Sequence, residues 1–316
     1  MERLNFVAEQ LFTPGPTPTP TSVKLAYQMT EVYHRSKEFE LVFRHCIDGL
    51  KPFFGSERDP VILTCSGTGA MEAAVSNLTN DGDMVGVIEC GKFGNRWRKI
   101  CEAFKCNVTT FEIEMGKGVH WEALDKFFEK SRDLRVLFLQ AHETSTGALI
   151  PFERIAKMAK IKMPNLLVVI DAISCLGAHR IHMGDQGLDC VIAGSQKGFG
   201  VAPGLSFIAL NDRAWGQISG RSRFYFDLKK EAKGQATGRS AYTPAIPVVL
   251  GLWASLQEIK KIGGVDAFIH HHQRMALAFR AAISEMRLDF FVDEPLRSNV
   301  LTSVKIPESL DGLKLL

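Results

Sequence analysis

Residues 166–171 read Leu-Leu-Val-Val-Ile-Asp, and residues 190–200 read Cys-Val-Ile-Ala-Gly-Ser-Gln-Lys-Gly-Phe-Gly. Each is a short apolar run that closes on one charged side chain: Asp171 in the first and, within a glycine-rich bend, Lys197 in the second. An unbroken apolar run of this length suits a strand buried on both faces, as in a parallel sheet covered by helices. Working outward, the same grammar repeats. Runs at 60–65, 84–89, 108–113, 135–140 and 206–210 read as strands, and segments 69–78, 95–104, 121–131 and 152–160 read as helices. Strands alternating with helices predict an α/β fold with a mostly parallel central sheet and helices on both faces. Ligands of such sheets bind beyond the carboxyl ends of the strands, so Asp171 and Lys197 mark where function is sought.

Upstream, 22–54 reads as helical. The stretch TPGPTPTPT at 13–21 is read as a loop, because proline fixes φ and removes an N–H donor. Downstream, 247–262 and 266–286 read as helices, followed by one alternating run at 298–304 read as a strand. A lone strand makes no stable domain, so the C-terminal small domain reads as incomplete. The expected division is a loop at 1–21, a ligand-binding large domain at 22–250, and helices opening a truncated small domain at 251–316.

The composition, 46% hydrophobic and 23% charged over 316 residues, is that of a folded globular chain. Thirty-eight basic residues against 35 acidic give a net charge of +3 spread along the sequence, which argues against nucleic acid or a membrane surface as partner. No apolar stretch reaches the ~18 residues of a transmembrane helix and no signal-like N-terminus is present, so a cytoplasmic protein is expected. The seven cysteines include no C-x-x-C pair and read as reduced, buried thiols. His179, His182 and the run 270–272 lack a neighbouring cysteine or paired carboxylate to complete a metal shell.

Three strand ends carry chemistry. Ser66-Gly67-Thr68-Gly69-Ala70 follows a strand and opens a helix, so its N–H groups and the Thr68 hydroxyl suit a phosphate; a tight turn with no ligand is the plain alternative. A dinucleotide fingerprint competes, with Glu89 as the ribose acid, but Glu72 replaces its third glycine. Asp171 presents an acid, and Lys197 is an amine able to form a Schiff base with an aldehyde. One ligand meets all three demands: pyridoxal 5′-phosphate, with its phosphate at Thr68, Gly69 and Ala70, its aldehyde at Lys197 and its ring nitrogen at Asp171.

The pieces TPGPTPTP, CSGTGAMEAA, HETSTGAL at 142–149, VVIDAISCLGA, GSQKGFGVAPGLSF and the Tyr242-Thr243-Pro244 of GRSAYTPAIP recur in order over 13 to about 300. Together the chain resembles the class V aminotransferases of fold type I, most of all the alanine–glyoxylate and serine–glyoxylate (serine–pyruvate) group. The resemblance implies that Lys197 carries the cofactor and moves the substrate's α-proton, and that Gln196 touches the phosphate. It also implies that Thr144 lies near the cofactor's phenolic oxygen and that Phe93 packs on the pyridine face. The resemblance further implies that Tyr242 and Thr243 reach the phosphate of a neighbouring subunit, which would make a homodimer with shared sites. The arginine that grips the substrate carboxylate is expected beyond Leu316. The expected activity is ping-pong transfer of the amino group of alanine or serine to glyoxylate or pyruvate. The alternatives are a cysteine desulfurase or lyase on the same fold, or a catalytically impaired, truncated protein that binds the cofactor.

Overall fold

The computed structural model describes residues 12–29 and 31–311. Among the described residues nine strands are seen: β1 (Val61–Leu63), β2 (Met84–Glu89), β3 (Asn107–Glu112), β4 (Val136–Gln140), β5 (His142–Glu143), β6 (Ala148–Leu149), β7 (Leu167–Asp171), β8 (Cys190–Gly194) and β9 (Ser206–Leu210). Ten helices accompany them: α1 (Thr21–Tyr27), α2 (Lys37–Phe54), α3 (Gly67–Leu78), α4 (Lys92–Ala103), α5 (Trp121–Lys130), α6 (Phe152–Lys162), α7 (Asp212–Gly216), α8 (Leu228–Gln235), α9 (Ile246–Lys261) and α10 (Gly264–Glu285).

Seven strands form one sheet in the order β1-β9-β8-β7-β4-β2-β3. Pairing is parallel from β8 to β3, and β9 runs antiparallel to both of its neighbours, so the α/β, mostly parallel architecture holds. The alternation of side chains along each strand divides the core in two. Leu167 and Val169 of β7 join a cluster with Met71 of α3 and Trp97 of α4. Val168 and Ile170 join one with Ile155 of α6 and Leu252 of α9 on the other face. Both faces are covered, so every residue of β4, β7, β8 and β9 is buried.

Two expectations need correction. The segment 22–54 is not one helix: α1 ends at Tyr27, and Ser36 starts a new helix by accepting the Phe39 N–H at 3.2 Å, with Glu38 and Glu40 in the first turn. The run 298–304 is not a strand. Around it the backbone makes only single bridges, Ala148 to Arg297 and Phe290 to Val304. Side chains pin it instead: Ser298 Oγ meets His142 Nε2 at 3.0 Å, and the Asn299 N–H donates to His179 Nε2 at 2.9 Å. The composition change at residue 250 falls inside α9, whose Val249, Leu250 and Leu252 sit in the core.

Candidate active site

Adjacent parallel strands β7 and β8 set Asp171 and the Lys197 bend side by side. The bend is held by buried Ser195, whose hydroxyl donates to the Ala202 carbonyl at 2.7 Å and accepts the Leu205 N–H at 3.3 Å. From the opposite side the proline-rich N-terminal segment closes over it. The Thr17 N–H donates to the Gln196 carbonyl at 3.1 Å and its hydroxyl to the Lys197 carbonyl at 2.9 Å. The Lys197 ammonium donates to the Pro14 carbonyl at 2.7 Å. Gly15 allows this approach: it lies at φ +126°, and a Cβ there would stand 2.6 Å from Lys197 Nζ. Burial pulls the Lys197 pKa down, and the Asp171 charge opposes it.

Asp171 is 5% exposed. Its Oδ1 accepts the Ile173 N–H at 2.8 Å. Burial, helped by the charge of Glu143, pushes its pKa up to about 7 against the Ile173 N–H and the charges of Arg96 and Lys197. The start of α3 reaches the same place, since a Cβ on Gly67 would stand 2.4 Å from Ile173 Cδ1. Of the three residues expected to cradle a phosphate there, Gly69 and Ala70 turn their N–H groups back to the Ser66 carbonyl, at 2.9 and 3.3 Å. The exposed Thr68 instead presents its hydroxyl outward, where it accepts from Arg96 Nη1 at 3.0 Å.

Phe93, in the first turn of α4, is half-buried with the Arg96 guanidinium 4.7 Å from its ring centre. Thr144 is buried in the β5–β6 turn. Tyr242 and Thr243 are not brought to this cluster within the chain. The Tyr242 ring stacks on Tyr225 at 5.2 Å, and its hydroxyl donates to the Phe224 carbonyl at 2.9 Å; Thr243 is exposed.

Two residues absent from the sequence reading stand at the centre of the site. Glu143, fully buried, accepts from five donors: the N–H groups of Phe93, Gly94 and Ser145, the Ser145 hydroxyl and Gln140 Nε2. It thereby ties the start of α4, and Phe93 with it, to the turn that bears Thr144. Arg96 bridges Thr68 and Phe93. A signal for it was present in the sequence, since Arg96 follows Phe93 by three positions and shares its face of a helix.

The donor set fits pyridoxal phosphate. The side-chain amide of Gln196, whose Oε1 is buried without a hydrogen-bond partner, has an NH2 end that can donate to a phosphate oxygen once the amide is turned, and Asp171 is a buried acid in want of a cation. The dinucleotide reading fits less well, because Glu89 is engaged by Arg98 at 2.8 Å and Asn95 at 3.2 Å. Glu72, which stands where that fingerprint has its third glycine, is exposed and does not obstruct packing of α3 on the sheet. Among the described residues, no cluster of metal ligands occurs, and no helix is long and apolar enough to cross a membrane.

A family model described as aminotransferase class-V matches residues 11–309. The chain is 31% identical over 314 residues to a serine–glyoxylate aminotransferase of Hyphomicrobium methylovorum, covering 97% of this chain and 77% of that protein. Among solved structures, an alanine–glyoxylate aminotransferase from Nostoc sp. superposes with a TM-score of 0.93 at 26% identity, covering 100% of this chain and 84% of that one. An aspartate aminotransferase of subgroup IV from Thermus thermophilus gives a TM-score of 0.90 at 31% identity, covering 97% and 85%.

Proposed function

The chain belongs to the class-V aminotransferases, enzymes dependent on pyridoxal phosphate, and on that premise we propose that it moves the amino group of a small amino acid to a 2-oxo acid by a ping-pong route. Alanine or serine is the proposed donor, and glyoxylate or pyruvate the acceptor. The observation that carries the reading is the pairing of Lys197 and Asp171 on adjacent strand ends, each close enough to shift the other's pKa.

When bound, the cofactor supplies an electrophilic aldehyde and an electron-withdrawing pyridine ring. Lys197 is the amine placed for the aldehyde, and its lowered pKa lets it take the proton from the substrate's α-carbon. Asp171 holds a proton at the ring nitrogen. Thr68 and Gln196 bind the phosphate, with the start of α3 behind them. Phe93 packs on the ring face, fixed by Glu143, and Thr144 orients the phenolic oxygen. Tyr242 and Thr243 reach the phosphate of a second subunit, so the proposed working unit is a homodimer.

A desulfurase would need an accessible, reactive thiol. Six of the seven cysteines are buried, and burial pushes the pKa of all seven up. The test is a single turnover of the loaded protein with alanine or serine and no acceptor. Ping-pong transfer releases stoichiometric 2-oxo acid, and later addition of glyoxylate yields glycine. A protein that holds the cofactor but releases no 2-oxo acid from any small amino acid would overturn the reading.

A further inference from the structure

We infer that Arg96 is the cationic contact to the cofactor's phosphate. The inference rests on the proposed reading of the site and adds a residue to it. Arg96 lies on α4, which follows β2, whereas the Lys197 bend follows β8 on the other side of β7 in the sheet, and Arg96 Nη1 donates to Thr68 Oγ1 at 3.0 Å. Its guanidinium stands 4.7 Å from the centre of the Phe93 ring, and its charge reaches Asp171. One side chain therefore touches the residue proposed to bind the phosphate and the residue proposed to pack on the ring. A phosphate at the start of α3 is a dianion, and the first turn of α3 carries no acidic residue to repel it. Apart from Arg96, the groups proposed to meet that phosphate within the chain, Thr68 and Gln196, are neutral. Among the described residues, Arg96 has no carboxylate within ion-pair distance. Its charge is thus available, and a planar guanidinium can donate to Thr68 and to a phosphate oxygen together. Arg96 is half-buried, so its contact belongs at the lower end of the range for charge-assisted hydrogen bonds.

The test is equilibrium binding to the cofactor-free protein of three probes: pyridoxal 5′-phosphate, pyridoxal without its phosphate, and inorganic phosphate. Arg96→Gln should weaken both phosphate-bearing probes about tenfold and pyridoxal far less. Arg96→Lys, which keeps the charge and loses the planar fork, should fall between. Equal loss for pyridoxal and pyridoxal phosphate would overturn the inference and make Arg96 a support for Phe93. Unchanged cofactor affinity with a raised KM for the amino acid would also overturn it, placing the guanidinium on the substrate carboxylate. A wild-type protein that binds neither pyridoxal nor its phosphate would sink the underlying cofactor reading as well.

Discussion

Asp171 makes a prediction that runs against the usual expectation for replacing a buried active-site acid. Its pKa stands at about 7, against an ordinary 3.8, chiefly because burial penalises the charged form. Between those values the folded chain holds a proton that the unfolded chain has released. Stability of the cofactor-free protein therefore falls as pH rises through this window and is flat above it. The rise is about three pH units at 1.36 kcal/mol each, so ionised Asp171 costs the empty protein about 4 kcal/mol at pH ~8. Asp171→Asn removes that cost. Its carbonyl can still accept the Ile173 N–H, while its buried NH2 forfeits about 1–2 kcal/mol for want of an acceptor. The cofactor-free variant should thus be more stable than wild type by about 2–3 kcal/mol at pH ~8, and no more stable than wild type below pH ~4. Urea unfolding of both proteins across this range measures the effect. With the cofactor bound the order should reverse, because wild type gains a charge pair that asparagine cannot make. If the empty variant is less stable at pH ~8, or keeps the wild-type dependence on pH, Asp171 is not an uncompensated buried acid.

Lys197→Ala should bind pyridoxal phosphate only non-covalently; borohydride reduction of wild type followed by peptide mapping checks this, and label on another lysine refutes the assignment. Glu143→Gln sets an NH2 group among donors and should cost about 2 kcal/mol in urea unfolding, and it should lower the Asp171 pKa, read by NMR of its carboxyl carbon. Tyr242→Phe combined with Thr243→Ala should weaken cofactor binding only under conditions where the chain is dimeric. Sedimentation and cofactor titration over a range of protein concentration test that, and a monomer that retains the cofactor tightly would return both residues to an ordinary turn.

The parts of the fold legible in the sequence share a physical cause. Strands β2, β8 and β9 begin and end where their apolar runs do, because burial on both faces leaves a continuous signal. The run 298–304 alternates as a strand should, yet alternation reports only that one face can be buried; no neighbour offers a continuous ladder, and serine–histidine contacts hold the segment instead. The two-residue strands β5 and β6 are too short to leave a period. In the site, Lys197 and Asp171 are readable because each ends an apolar run. Glu143 is not, because two of its donors are backbone N–H groups 50 and 49 positions away that no side-chain pattern reveals; Arg96 left only its helical spacing from Phe93, since its contact with Thr68 spans 28 positions.

The distribution of charge narrows the ligand further than any single residue does. At one end, the start of α3, the Thr68 hydroxyl and Arg96 offer N–H and O–H donors with positive potential. At the other, burial and the charge of Glu143 push Asp171 up against the charges of Arg96 and Lys197, so the empty site compensates that acid only in part. A purely anionic ligand would satisfy the first end and worsen the second, and a neutral apolar one would leave the donors of the first end unmatched and Asp171 desolvated. A ligand with an anion at one end and a protonatable nitrogen at the other relieves both. If that ligand also bears an aldehyde near Lys197, whose proton is loosened by burial, the amine can bond to it without first paying to discard a firmly held proton. On the proposed reading, the same burial that destabilises the empty protein selects the cofactor and readies Lys197 for it.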